Sequence, residues 1–229
     1  MLKYPRAGAV KTRLMPVLGA ARACALYRQL VDHTLTEVGA VVAPGGIDLE
    51  IRLAGAPDET AARAWLGETR AIRAQGEGDL GARLERAVEA ALAEGAPAVV
   101  VIGGDCPQLS AGHLESAFAA LVHHEVVLGP ATDGGYYLIG LRRSRPALFR
   151  GIAWGGPEVL AQTLTAAHAL GLDVATLAPL SDLDVPEDLV RWARTPAAHH
   201  AGRGGVSVII PALDEETALP ATLQAAQRA

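Results

Sequence analysis

The sequence predicts an α/β protein built on a doubly wound, mainly parallel sheet. Apolar residues at helical spacing alternate along the chain with short β-branched runs. The run Ala98-Val99-Val100-Val101-Ile102 ends abruptly at Gly103-Gly104-Asp105-Cys106-Pro107, which reads as a parallel strand covered on both faces. It leaves one carboxylate, Asp105, at the strand's carboxyl end, where open α/β sheets bind ligands. The 229 residues, 50% of them hydrophobic, suffice for one domain of about 200 residues with an appendage.

A basic opening loop leads to a helix over Ala20–Val38 with Tyr27, Leu30, Val31, Thr34 and Val38 on one face, and then to Ile47, Leu49, Ile51 and Leu53, which alternate as in a strand. Asp58 is placed to cap a short helix through Leu66. Leu80, Leu84, Val88 and Ala91 or Leu92 form the stripe of another helix, which feeds the strand ending before Asp105. Ser110 suits the N-cap of a helix carrying Leu114, Ala117, Phe118 and Leu121. Val126–Leu128 restarts a strand, Pro130-Ala131-Thr132-Asp133-Gly134-Gly135 reads as a turn, and Tyr136–Leu141 as the returning strand. Pro157–Leu170 reads as a helix closed by Gly171, Val174–Leu177 as a strand, and Pro186–Ala193 as a last helix with proline in its first turn.

Composition narrows the function. A formal net charge of -5 argues against a general binder of nucleic acid or anionic membrane. Cys24 and Cys106 offer neither a zinc spacing nor a disulfide framework, and the start lacks the apolar core of a secretory signal, so a cytoplasmic location is expected. No apolar stretch approaches the roughly 20 residues that span a bilayer. The pairs His123-His124 and His199-His200 lack the spacing of a helical metal site and read as solvated residues.

The chemistry-bearing residues fall in separate clusters. Both lysines of the chain, Lys3 and Lys11, lie near its start, interleaved with Arg6 and Arg13 around Pro5 and Gly8. Such a loop before a helix can wrap a phosphate; the plainer reading is a solvated arm. Val10 and Pro5 stand where a Walker loop needs glycine, and no GxGxxG follows a strand, so neither a P-loop nor a dinucleotide-dependent oxidoreductase is supported. Asp105 caps the turn after it or binds a metal. A second carboxylate, Asp184, precedes the last helix, whose dipole Glu187 and Asp188 suit. Hard oxygens of this kind fit magnesium or manganese bridging a diphosphate.

Asp133-Gly134-Gly135-Tyr136-Tyr137 combines a double glycine with aromatic rings that can shape a pocket for a sugar, although a plain hairpin explains the glycines equally well. Gln75-Gly76-Glu77-Gly78-Asp79-Leu80-Gly81 is either a flexible loop and helix start or a base or ribose contact. Trp154, beside Gly155-Gly156, lines the pocket or packs in the core.

Taken in order, the Lys3–Leu14 loop, Glu77-Gly78-Asp79-Leu80-Gly81, Gly104-Asp105-Cys106-Pro107, Asp133-Gly134-Gly135-Tyr136-Tyr137 and Asp182-Leu183-Asp184-Val185-Pro186-Glu187-Asp188 resemble the bacterial glycosyltransferase-like family linked to arsenosugar biosynthesis. The resemblance runs from about Lys3 to Arg194. It implies the nucleotide-diphospho-sugar transferase (type A glycosyltransferase) fold, a three-layer Rossmann-like architecture with a mixed, mainly parallel sheet. It also implies that Lys3, Lys11 and Arg13 contact phosphates, Gly78 and Asp79 the nucleoside, and Asp105 and Asp184 a divalent metal. Gly134, Gly135, Tyr136 and Trp154 then form the substrate pocket, with Asp133 activating the acceptor hydroxyl.

Two departures from that family stand out. Only Met1 and Leu2 precede the Lys-Pro loop where the family carries a full first strand, so the expectation is a misplaced or trimmed start. The other is the tail. Residues 1–194 read as the nucleotide-sugar domain, 195–205 as a linker, and 206–229 as the opening of a second glycosyltransferase domain fused to the first; a less favoured alternative puts Val206–Ile210 in the slot of the missing strand. The reading that follows is a metal-dependent transferase moving a sugar from a nucleoside diphosphate donor. The alternatives are a nucleotidyltransferase releasing pyrophosphate and a non-catalytic nucleotide-binding module.

Overall fold

The computed structural model describes residues 1–43 and 46–194, so the linker expected over 195–205 and the second-domain segment expected over 206–229 lie outside the described residues. The chain divides into two compact units. One comprises Met1–Tyr4 with Leu30–Asp182, the other Pro5–Gln29 with the chain from Leu183 onward.

The first unit is α/β with mixed sheets. Strands β1 (Leu2–Lys3), β2 (Glu50–Ala54) and β3 (Ala71–Ala74) form a sheet in that order, with both ladders parallel. Strands β4 (Val99–Ile102), β5 (Val126–Pro130), β6 (Tyr136–Leu141) and β7 (Val174–Thr176) form a second sheet in the order β4-β6-β5-β7. Here β6 runs antiparallel to both neighbours, and β7 is parallel to β5. The sequence's parallel, doubly covered β4 is therefore corrected: it pairs antiparallel with β6, and all four of its residues are only half-buried. A β-branched run suits either direction, and the turn that sends β6 back beside it lies thirty residues downstream.

Helix α1 (Met15–Val42) passes from one unit to the other, α2 (Glu59–Leu66), α3 (Leu80–Ala93), α4 (Ala111–Leu121) and α5 (Val159–Ala169) belong to the first, and α6 (Pro186–Arg194) to the second. Regular helix in α1 is broken at Gly19, with φ 74° and ψ 160°, immediately before the predicted start at Ala20. Its predicted face, Tyr27, Leu30, Val31, Thr34 and Val38, is buried. Leu80, assigned to the apolar stripe of α3, is instead 44% exposed at the first position of that helix. Strand β3, Ala-Ile-Arg-Ala, gave no signal because three of its four residues face solvent.

Alternation along β5 and β6 splits the second sheet's side chains between two cores. Val127 and Leu138 join Val38 and Val41 of α1 and Leu114, Ala117 and Leu121 of α4. Val126, Leu128, Ile139 and Leu141 join Leu84 and Val88 of α3 and Ala167 of α5. Each fully buried aliphatic side chain contributes about 1.5–3 kcal/mol. Caps fix the helix starts: Asp58 Oδ1 accepts from Ala61 N and Asp79 Oδ1 from Ala82 N, each at 2.8 Å. Ser110 N donates to His113 Nδ1 at 3.2 Å, while Ala111 N donates to Glu37 Oε2 of α1 at 2.9 Å, which ties α4 to α1.

Candidate functional site

Because β4 and β5 are both antiparallel to β6, and β7 is parallel to β5, their carboxyl ends share one edge of the sheet. Three loops leave that edge: 103–109 with Asp105, 131–135 with Asp133, and 177–182. They are tied to one another. Thr132 N donates to Leu180 O and Thr132 Oγ1 to Ser181 Oγ, both at 3.0 Å, and Ser181 N donates to Gln108 Oε1 at 3.3 Å. The Tyr137 hydroxyl donates to Ala178 O at 3.1 Å. Thus the sheet edge brings Asp105 and Asp133, twenty-eight positions apart, to one rim.

Asp105 is half-buried there. The neighbouring Gly104 serves packing: a Cβ on it would lie 2.5 Å from Leu2 Cδ2 and 3.3 Å from Val31 Cγ2, so β1 and α1 close onto it. Asp133 is exposed, and its Oδ1 accepts from Gly135 N at 2.9 Å, which shapes the turn. Gly134 has φ 93°, and a Cβ there would stand 1.9 Å from Pro157 O; its own carbonyl accepts from Leu160 N at 2.9 Å. The turn is thereby docked on the start of α5.

Tyr136 meets Trp154 edge to face, with centroids 6.1 Å apart, and Trp154 Nε1 donates to Phe149 O at 3.3 Å. Gly81 of α3 leaves room for that indole, since a Cβ would come within 2.4 Å of Nε1. Burial pushes the Tyr136 phenol above its ordinary range, and burial followed by the Cys106 charge pushes Tyr137 up to about 12. Both rings therefore carry neutral hydroxyls at ordinary pH.

The Gln75–Asp79 loop is held by its own Gln75 and by Arg86, a side chain the sequence did not single out. Gln75 is buried, its Nε2 donating to Leu2 O at 2.7 Å and Arg52 O at 3.1 Å. Arg86 of α3 donates to Gln75 O at 2.7 Å and Glu77 O at 3.0 Å. On α3 that arginine looks like any solvated residue, so only folding reveals it as a clamp. Gly78 lies in the clamped loop with φ 97°, and Asp79 spends one carboxylate oxygen on the α3 cap. Lys3 is exposed at the end of β1.

In the second unit the opening loop tightens into a helical turn, Thr12–Leu14, anchored by buried Val10 and Leu14. Lys11 enters that turn with φ 47° and ψ 44°, a left-handed backbone that costs a non-glycine residue about 1–2 kcal/mol. Its side chain is 3% exposed and places Nζ 3.6 Å from Asp184 Oδ1. Arg13 Nη1 donates to Asp184 Oδ2 at 2.9 Å. Asp188 in turn accepts from Asp184 N at 3.0 Å and Val185 N at 2.9 Å, holding the backbone before α6. So Lys11, Arg13 and Asp184, far apart in sequence, form one cluster.

Asp105 belongs to the first unit and Asp184 to the second. Among the described residues no group of three or more His, Cys, Asp or Glu gathers to hold a metal ion. A carboxylate is a hard oxygen donor of the kind magnesium and manganese accept. No described helix is long and apolar enough to cross a membrane.

Similarity to known proteins adds to this geometry. The chain is 37% identical over 113 residues to 3-phospho-D-glycerate guanylyltransferase of Phenylobacterium zucineum (strain HLK1), a match covering 47% of the chain. It spans about half of that relative's length, 50%. A crystal structure from Desulfovibrio desulfuricans G20, provisionally assigned as a nucleotide-diphospho-sugar transferase, superposes with a TM-score of 0.78 at 37% identity, covering 85% of each chain. The fold is also that of 4-diphosphocytidyl-2C-methyl-D-erythritol synthase from Anaerococcus prevotii DSM 20548, with a TM-score of 0.53 at 11% identity over 83% of this chain and 94% of that one. Both the guanylyltransferase and the Desulfovibrio protein are described as transferases, and the latter shares the fold of this chain. Residues 35–156, more than half of the chain, match the profile described as "Uncharacterized protein conserved in bacteria (DUF2064)", and the chain belongs to that family.

Proposed function

We propose that this protein is a nucleotidyltransferase: an oxygen of a phosphorylated acceptor attacks the α-phosphorus of a nucleoside triphosphate, and the bond to the β-phosphate breaks to release pyrophosphate. The observation that carries the reading is the cluster of Lys11 and Arg13 on Asp184, which focuses two cations at the opening loop, where a leaving polyphosphate needs its charge balanced. The guanylyltransferase relative, at 37% identity, favours this reading over the sugar transfer that the sequence favoured, and makes GTP the first triphosphate to try.

Nucleotidyl transfer also changes what is asked of Asp133. A phosphate acceptor is already anionic and needs no general base, so the Asp133 carboxylate serves by shaping its turn through Gly135 N. Lys3, Lys11 and Arg13 hold phosphates, Gly78 and Asp79 the nucleoside, and Gly134, Gly135, Tyr136 and Trp154 bound the acceptor pocket. Asp105 in the first unit and Asp184 in the second would each serve as a carboxylate ligand for magnesium or manganese, whose contribution would be neutralisation of polyphosphate charge.

Sugar transfer stays as the second reading because the Desulfovibrio structure, similar over 85% of the chain, carries that assignment. One incubation separates the readings. With GTP, other nucleoside triphosphates or nucleotide sugars, manganese and phosphorylated acceptors, the proposal expects pyrophosphate; release of nucleoside diphosphate from a nucleotide sugar would overturn it in favour of sugar transfer. Binding without turnover would leave only a nucleotide-binding module. Full turnover in Asp105→Ala would refute the metal assignment.

A further inference from the structure

We propose that the Asp184 carboxylate occupies the place of a substrate phosphate, so that an arriving polyphosphate takes Lys11 and Arg13 from it and frees it for a divalent cation. This rests on the phosphate-binding reading of Lys11 and Arg13. Both oxygens of the carboxylate are engaged, Oδ1 by Lys11 Nζ at 3.6 Å and Oδ2 by Arg13 Nη1 at 2.9 Å. A pair of oxygens presented to an ammonium and a guanidinium is also what a phosphate group offers, and arginine accommodates either anion.

The cluster is built for exchange. Lys11 is fixed: it is buried, and its left-handed backbone lies between buried Val10 and the turn ending at buried Leu14. The backbone of Asp184 is fixed as well, by Asp188 Oδ2 on its amide and by fully buried Leu183 before it. Its side chain, by contrast, is 35% exposed, and that of Arg13 is 68% exposed. Rotation of the Asp184 side chain alone therefore ends both contacts without moving the chain. Once displaced, Asp184 is a carboxylate next to a polyphosphate, an arrangement of like charges that a divalent cation relieves. Asp184 thus opposes phosphate binding when metal is absent and favours it when metal is present, and phosphate and metal enter as linked ligands.

The test uses inorganic tripolyphosphate and the full chain in calorimetry, with chelator or with manganese. Asp184→Asn keeps the side chain's shape and removes its charge. Metal-free tripolyphosphate should bind this variant about fivefold more tightly than wild type, the worth of one partly exposed ion pair, and manganese should no longer enhance binding. Asp184→Ser should behave alike. Lys11→Met should lose the metal-free binding. On the unaltered protein, carboxyl labelling read by peptide mass should rise at Asp184 when metal-free tripolyphosphate is added. Equal or weaker metal-free binding by the Asp184 variants, or unchanged labelling of Asp184, would overturn the exchange. If the exchange appears but no triphosphate yields pyrophosphate, the transfer reading fails alone; if pyrophosphate is made but the variants bind no tighter, the exchange fails alone.

Discussion

Gly134 offers the most direct check of how the Asp133 turn is seated. Replacing it with alanine forces a side chain onto a backbone at φ 93°, and the new Cβ would stand 1.9 Å from the carbonyl oxygen of Pro157. The left-handed backbone alone costs about 1–2 kcal/mol. Relieving the clash adds about 1–3 kcal/mol, because the obstacle is main chain and cannot rotate away. Moving it also strains the 2.9 Å bond from Leu160 N to Gly134 O, worth about 1 kcal/mol. A loss of about 3–6 kcal/mol follows, or roughly 6–24 °C in melting temperature for a chain of this size. Gly171, with φ 66° and nothing within 4 Å of an added Cβ, is the control: its alanine variant bears the backbone cost alone. Thermal melts and urea titrations followed by circular dichroism compare the two. If Gly134→Ala melts within about 2 °C of Gly171→Ala, the docking of this turn on Pro157 is wrong.

The buried phenols make stability sensitive to alkali: Tyr137 is raised from 10.0 to about 12 by burial and Tyr136 is raised further, so their contribution is complete below pH 10.0 and is lost as pH climbs toward about 12. Phenolate absorbance and unfolding should therefore rise together in that window, with Tyr137→Phe shifting the transition; full ionisation of both rings with native circular dichroism would contradict their burial. Asp58 and Asp79 make the same 2.8 Å cap, so alanine at either should cost about 1 kcal/mol. Only Asp79→Ala should weaken nucleotide binding in an affinity titration; equal affinities for the two variants would remove Asp79 from the nucleoside site.

Local signals were legible wherever one element carried its own instructions. Asp58 and Ser110 stood at helix starts, Tyr136–Leu141 matched its strand residue for residue, and the buried face of α1 was written in its helical spacing. Signals failed where a partner elsewhere decided the outcome. The direction of β4 depends on β6, and β3, Ala-Ile-Arg-Ala, is a strand because β2 lies beside it, not because its residues demand one. The candidate site shows the same division. Clusters of charge and glycine identified the Lys3–Leu14, Gly78-Asp79, Asp105, Asp133 and Asp184 segments, but nothing in them announced that Arg86 clamps the Gln75 loop or that Gly104 is kept small by Leu2.

By itself, then, the sequence determined the succession of helices and strands apart from β3, the caps, and the residue types available for binding phosphate and metal, because each depends on spacing and side-chain chemistry within a few turns of chain. Tertiary structure alone decided strand direction, the shared rim of Asp105 and Asp133, and the union of Lys11 and Arg13 with Asp184. The physical reason is range: caps and periodicities are satisfied locally, whereas a strand ladder or an ion pair across 171 positions exists only once distant segments have been packed together.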